Sequence, residues 1–189
     1  MEKGKEIIVA KILFCYDTPH MWENGTNRPG LCPVCHNVIE QIPNMDYIVR
    51  KNRYRDIAVT YDGFFVVSQK FKAFCDENKY DSLEFVQLPK SPSYYFFAPH
   101  KIYELDYIRR GTEFKGYHEC CGRFDSIAGC SPAYKHINNN IKNDDFICRS
   151  DVFFGSDLNA GPIIIIGMRT LEKIKSYDLS GMYFKNVYL

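Results

Sequence analysis

Phe64-Phe65-Val66-Val67 and Ile163-Ile164-Ile165-Ile166 are short, continuous apolar runs of aromatic and β-branched residues, the pattern of a strand covered on both faces. Behind the first run, Ser68 stands where a helix N-cap belongs, its hydroxyl free to accept from an exposed amide. Phe71, Phe74 and Cys75 then fall at i, i+3 and i+4 on one side of a predicted helix, and Lys70, Lys72, Asp76 and Glu77 point elsewhere. Behind the second run, Met168, Leu171, Ile174 and Lys175 trace a similar stripe with Lys175 as its imperfect end. Leu83, Phe85 and Gln87 alternate with Glu84 and Val86 as a half-buried strand does.

The two stretches share one order. Asp56-Ile57 precedes the first apolar run and Asp151-Val152 the second; each run leads to an amphipathic helix and then to a last strand, Leu83 to Leu88 or Leu179 to Val187. This order reads as a duplication. The expected fold class is α+β, with two related strand-helix-strand units, residues 1–98 and 99–189, and mixed or antiparallel sheets. Between the units, Pro89 to Pro99 predicts an extended connection whose Tyr94-Tyr95-Phe96-Phe97 packs as a strand. Ser131 to Asp145, with Asn138-Asn139-Asn140, predicts a surface loop.

Composition adds that the 189 residues suffice for one sizeable core or two small lobes. The apolar fraction of 46% excludes a disordered chain, and 14 Phe, 14 Tyr and a single Trp suit a sheet-rich interior. Charge is balanced along the chain: 12 basic and 12 acidic residues up to Tyr94, then 12 and 11. Neither half has the excess of one sign that draws a protein to nucleic acid or an anionic membrane. No apolar run approaches the ~20 residues of a membrane span. The charged start, and Lys11 soon after Ile7-Ile8-Val9-Ala10, do not fit a signal peptide. The expected location is the cytoplasm.

Eight cysteines then need a role in a reducing compartment, where disulfides rarely persist; secretion with several disulfides is the competing account. Cys32-Pro33-Val34-Cys35-His36 has the spacing of a metal knuckle, and His118-Glu119-Cys120-Cys121-Gly122 precedes the second unit as the first motif precedes the first. Aligning Cys35 with Cys121 sets His118 opposite Cys32. Cys32, Cys35, His118 and Cys121 therefore predict a closed, tetrahedral, structural zinc site clamping the two units. Cys120, though adjacent to Cys121, and Cys130 are alternatives to His118 as fourth ligand. Cys15, Cys75 and Cys148 read as small apolar residues of a strand or a helix face. A redox pair at Cys32 and Cys35 is disfavoured, because Arg28-Pro29-Gly30-Leu31 forms a loop ahead of it instead of a strand.

Catalysis finds little in the pattern: the five histidines sit in turn-like contexts outside any nucleophile elbow, His-Glu-x-x-His helix or phosphate loop. The basic run Arg50-Lys51-Asn52-Arg53-Tyr54-Arg55 is the best nucleic-acid candidate, but such a run also serves as a solvated strand edge.

With both knuckles in hand, the sequence resembles the double-CXXCG family of predicted bacterial immunity proteins, found beside polymorphic toxins. The likeness runs from about Leu31 to the C-terminus and rests on Cys32-Pro33-Val34-Cys35, on Cys121-Gly122, and on the Asp-aliphatic and last-strand segments that follow each. Gly63 to Phe71 also looks like a strand, Ser, helix element of several immunity families. His36 departs from the family's Gly in the first motif, and His118 from its Cys in the second. The resemblance implies a non-enzymatic protein that neutralises a cognate toxin by stoichiometric binding. Its alternative is a zinc-stabilised nucleic-acid-binding or regulatory module. Trp22 and Tyr94-Tyr95 are the candidate contact residues, with ordinary packing as the competing role.

Overall fold

The computed structural model describes residues 6–23, 28–50 and 55–189. Among them, β1 (Ile8–Cys15) and β2 (Asp17–Thr18) come first, followed by β3 (Ile57–Thr60), β4 (Phe65–Ser68), α1 (Gln69–Glu77), β5 (Leu83–Gln87) and β6 (Tyr94–Pro99). Next come α2 (Tyr107–Arg110), β7 (Glu113–His118), β8 (Arg123–Ala128), β9 (Ala133–Tyr134) and β10 (Ile147–Arg149). The chain ends with β11 (Gly155–Ser156), β12 (Ile164–Gly167), α3 (Met168–Ser176) and β13 (Met182–Tyr188). No helix of the described residues is long and apolar enough to cross a membrane.

The fold is mixed α+β and mostly strands. One five-stranded sheet has the order β10-β12-β1-β13-β9, a second β2-β3-β4-β6-β5, and a small three-stranded sheet β11-β8-β7. Most pairs are antiparallel; β13 with β9 and β2 with β3 are parallel. The apolar runs behave as a doubly covered strand should. Phe65 and Val67 of β4 point into the largest core, while Phe64 and Val66 enter a second. Ile164 and Ile166 of β12 join the largest core too, and Ile165 a third. That largest core draws on strands of both five-stranded sheets and takes Phe71 and Phe74 from α1 and Leu171 and Ile174 from α3.

Ser68 caps α1 as its position predicts: its Oγ accepts from the Phe71 amide at 3.2 Å and donates to Asp56 Oδ1 at 2.8 Å. The other Asp56 oxygen accepts from the amide and hydroxyl of Ser180 at 2.8 and 2.9 Å. A buried carboxylate thus joins the start of α1 to the turn before β13. The second Asp behaves differently. Asp151 lies after β10, and Val152 belongs to no strand. The strand that pairs with β12 is instead preceded by Asp145-Phe146. The Asp-aliphatic match at Asp151 was a match of letters, not of strand position.

β1 sits between β12 and β13, with Ala10 to Leu13 opposite Gly167 to Ile164 and Lys11 to Cys15 opposite Asn186 to Met182. A cut after residue 98 therefore separates this strand from both its partners. The predicted surface loop from Ser131 to Asp145 also contributes more than surface: it contains β9, and Ala133 and Asn139 are buried.

A buried ion pair ties the loop before Cys32 to the rest. Arg28 Nη1 meets Asp62 Oδ2 at 3.3 Å, and Nη2 donates to the Leu158 carbonyl at 2.8 Å. Asp62 also accepts from the amides of Met21 and Trp22 at 2.8 and 3.0 Å.

Candidate metal centre

Both cysteine motifs fold as tight hairpin turns. In the first, the Cys32 amide donates to the Asn37 carbonyl at 2.8 Å, and the His36 amide returns to the Cys32 carbonyl at 3.0 Å. Just outside, Gly30 O accepts from the Ile39 and Glu40 amides at 2.9 and 3.1 Å. Gly30 has φ +81°, and a Cβ there would lie 2.2 Å from the Glu40 carbonyl oxygen, so only glycine seats this turn. In the second, β7 and β8 close at the pair His118–Arg123, and the Gly122 amide donates to the His118 carbonyl at 2.8 Å.

The two turns correspond position by position. His36 and Gly122 both hold a left-handed backbone, with φ 62° and 67°. For His36 this costs of order 1–2 kcal/mol that a glycine would not incur. The correspondence sets Cys32 against His118 and Cys35 against Cys121. The ligand chemistry does not follow it.

The sulfurs of Cys32, Cys35, Cys120 and Cys121 all lie within 4.8 Å of one another. Cys32 Sγ is 3.7 Å from Cys120 Sγ, and Cys35 Sγ is 3.5 Å from Cys121 Sγ. Four thiolates around one zinc at ~2.3 Å form a tetrahedron with edges of about 3.8 Å. The cluster is therefore of the right size for one tetrahedral metal ion. Three of the four predicted ligands, Cys32, Cys35 and Cys121, come together; His118 does not join them. Its Nε2 faces Asp125 Oδ1 at 2.6 Å. Gly116, at φ +66°, leaves room for that carboxylate, since a Cβ there would stand 2.0 Å from Asp125 Oδ2. Cys120 fills the fourth corner from the place corresponding to Val34, nearer the tip of the turn.

The surroundings of the sulfurs are unequal. Cys32 is buried, Cys35 and Cys121 are half-buried and Cys120 is exposed. The Cys35 and Val34 backbone amides hydrogen-bond the Cys32 sulfur and pull its pKa down to about 6. Partial desolvation, and then the sulfurs of Cys35 and Cys32, push Cys120 up to about 12; the same influences raise Cys121 against an amide bond from Arg123. Four crowded thiols thus resist ionising together, and a cation among them removes that resistance. Arg123 braces the pair of turns, donating to the Ile39 carbonyl at 3.1 Å with its guanidinium 4.6 Å from the Phe153 ring centre.

The remaining cysteines lie elsewhere. Cys15, Cys75 and Cys148 are buried in apolar cores, where burial raises their thiol pKa values. Cys130, the other contender for fourth ligand, is outside the cluster. Trp22 donates through Nε1 to the Ile42 carbonyl at 3.1 Å and packs on a core with Tyr94. Tyr95 is half-buried, its hydroxyl bonded to Gln69 Oε1 at 2.5 Å. Most of the basic run, Lys51 to Tyr54, lies outside the described residues. No family model matches the chain, and no curated protein does.

Proposed function

We propose that Cys32, Cys35, Cys120 and Cys121 hold one structural zinc ion, and that the chain is a non-enzymatic immunity protein of the double-CXXCG type, neutralising a cognate toxin by stoichiometric binding. The observation that carries the metal half is the four-sulfur cluster, with cross-hairpin contacts of 3.5 and 3.7 Å. Zinc suits four thiolates in a tetrahedron and brings no redox chemistry of its own. A site filled by four protein ligands leaves no position for a water or substrate, which favours a structural role. The binding half rests on the family resemblance. Cytoplasmic thiols remain reduced and available for such a site.

The same reading takes the two five-stranded sheets as related units. The order β3-β4-β6-β5 matches β10-β12-β1-β13, every pair antiparallel. In both, a helix follows the second strand in this order, and β1 takes the place of β6. The amide of Ser68 donates to the Asp56 carbonyl at 2.9 Å, as that of Gly167 does to Phe146 at 3.0 Å. Phe146, not Asp151, is then the counterpart of Asp56.

Native mass spectrometry tests the metal: one zinc per chain, lost in Cys35→Ser and Cys121→Ser and kept in Cys75→Ser, is expected. A folded, metal-free protein overturns it. Co-expression with the toxin of an adjacent gene tests the binding half, with restored growth and an equimolar complex expected. Failure of both, together with salt-dependent binding of DNA or RNA, would replace the immunity reading with a nucleic-acid one.

A further inference from the structure

Two short sulfur contacts run between the hairpins, Cys32 to Cys120 at 3.7 Å and Cys35 to Cys121 at 3.5 Å. Together they use all four sulfurs. A pairing within a hairpin would join Cys32 to Cys35, or the adjacent Cys120 to Cys121, whose shared peptide makes a strained ring. One corner is also open to reagents. Cys120 is exposed, whereas Cys32 is buried and Cys35 and Cys121 are half-buried. Oxidation of a metal-bound thiolate follows its exposure to the oxidant, which singles out Cys120.

We propose that this cluster is a peroxide-accepting site in which oxidation exchanges the metal for two disulfides that keep the hairpins joined. This rests on the metal reading above. The Cys120 thiolate attacks one oxygen of a hydroperoxide, the O–O bond breaks, and a sulfenic acid and hydroxide (or alkoxide) result. The Cys32 thiolate then attacks the Cys120 sulfur; the S–S bond forms, and the sulfenic oxygen leaves as hydroxide. Two sulfurs have each lost one electron, two peroxide oxygens have each gained one, and two protons from solvent turn the released bases into water or alcohol. Only Cys35 and Cys121 are then left to hold the ion, which departs. A second hydroperoxide joins these two in the same way. The link between residues 32–35 and 120–121 thereby passes from coordination to covalent bonds, and the hairpins stay together with the metal gone.

The test uses the full chain, its metal content measured first, treated with stoichiometric hydrogen peroxide. Metal release is followed with a chromogenic chelator, bond formation by the loss of two hydrogens per disulfide in the intact mass, and connectivity by peptide mapping without reductant. The expected result is metal loss in step with cross-links joining the peptide of Cys32 and Cys35 to that of Cys120 and Cys121. Amide protection of residues 113–128 should survive in the oxidised protein and fall after chelator treatment of the reduced one. A Cys32–Cys35 or Cys120–Cys121 disulfide would overturn the proposal. So would metal retained at full thiol oxidation elsewhere, or over-oxidised cysteines without cross-links. Failure of the metal reading shows separately, as absent metal before any oxidant is added. Cys120→Ala, compared with His118→Ala as a control that keeps all four sulfurs, should abolish the fast phase of peroxide consumption; an unchanged fast phase refutes Cys120 as the entry point.

Discussion

Replacing His118 and Cys120 one at a time separates the ligand set seen here from the one the hairpin alignment suggests. His118 contacts Asp125 at side-chain exposures of 32% and 52%, and side-chain contacts so exposed are worth about 0.2–1 kcal/mol. In a chain of this size 1 kcal/mol moves Tm by about 2–4 °C. His118→Ala should therefore keep the metal and lower Tm by no more than ~4 °C. Cys120→Ser removes one of four thiolates. Structural zinc contributes about 10–16 kcal/mol of apparent binding free energy to the folded state, against a total stability of about 5–15 kcal/mol for an ordinary domain. Its loss should fall first on the hairpins. The side chains of β7 from Glu113 to Tyr117 are all exposed, and of β8 only Ile127 is buried. Little apolar burial holds this sheet apart from the metal. Hydrogen exchange read by mass spectrometry should show Cys120→Ser losing protection over 113–128, with β1, β4 and β12 still protected. The converse result, metal lost in His118→Ala and kept in Cys120→Ser, would refute the four-cysteine assignment. Equal protection of 113–128 with and without metal would refute the claim that coordination holds the hairpins.

Asp62→Ala should cost about 3–5 kcal/mol, because it strands the buried Arg28 guanidinium; urea denaturation measures it, and a loss below 1 kcal/mol contradicts the buried-pair account. Burial already lowers the Arg28 pKa against the opposing influence of Asp62, so the cation depends on its partner. Phe74 is fully buried among Phe71, Tyr80 and Tyr177, and Phe74→Ala should lose about 3–5 kcal/mol in the same assay. At Asp145, burial raises the carboxyl pKa, but hydrogen bonds from Lys173, Tyr80 and Thr170 outweigh it and hold the group below its ordinary value. Its stabilisation is thus present above the unfolded pKa of ~3.9 and is lost as pH falls through the lower folded value. The stability difference between wild type and Asp145→Asn should be flat near neutrality and shrink below about pH 4; a difference constant down to acid unfolding would count against it.

Local signals were legible wherever one residue type has one structural use. The Ser68 cap, the Phe71, Phe74 and Cys75 stripe of α1 and the aliphatic β12 all follow from side-chain spacing alone, and the Cys32 turn could be recognised by its spacing. The failures share a cause: they depend on which segments meet in space. The hairpin alignment favours His118 over Cys120 because, sound for backbone positions, it says nothing of where an imidazole turns when Asp125 stands behind it. The vicinal Cys120-Cys121 pair was itself the signal, since two sulfurs at one turn tip already complete an all-thiolate set with Cys32 and Cys35. Asp151 misled because an Asp before an aliphatic residue is a short pattern, and tertiary pairing put β10 a few residues earlier. The place of β1 leaves no trace in its own eight residues; nothing in Ile8 to Cys15 names partners at the far end of the chain.

That placement has a consequence for how the protein is made. β1 leaves the ribosome well before its hydrogen-bonding partners, residues 164–167 and 182–188. At ~5–20 residues per second, translation leaves this strand, with two open edges and an apolar face, unpaired for roughly 10–30 s. No shorter nascent chain can finish the sheet. A stalled or truncated product lacking β13 should therefore expose a ready template for strand addition and aggregate, whereas a separate peptide carrying β13, supplied in trans, should rescue it.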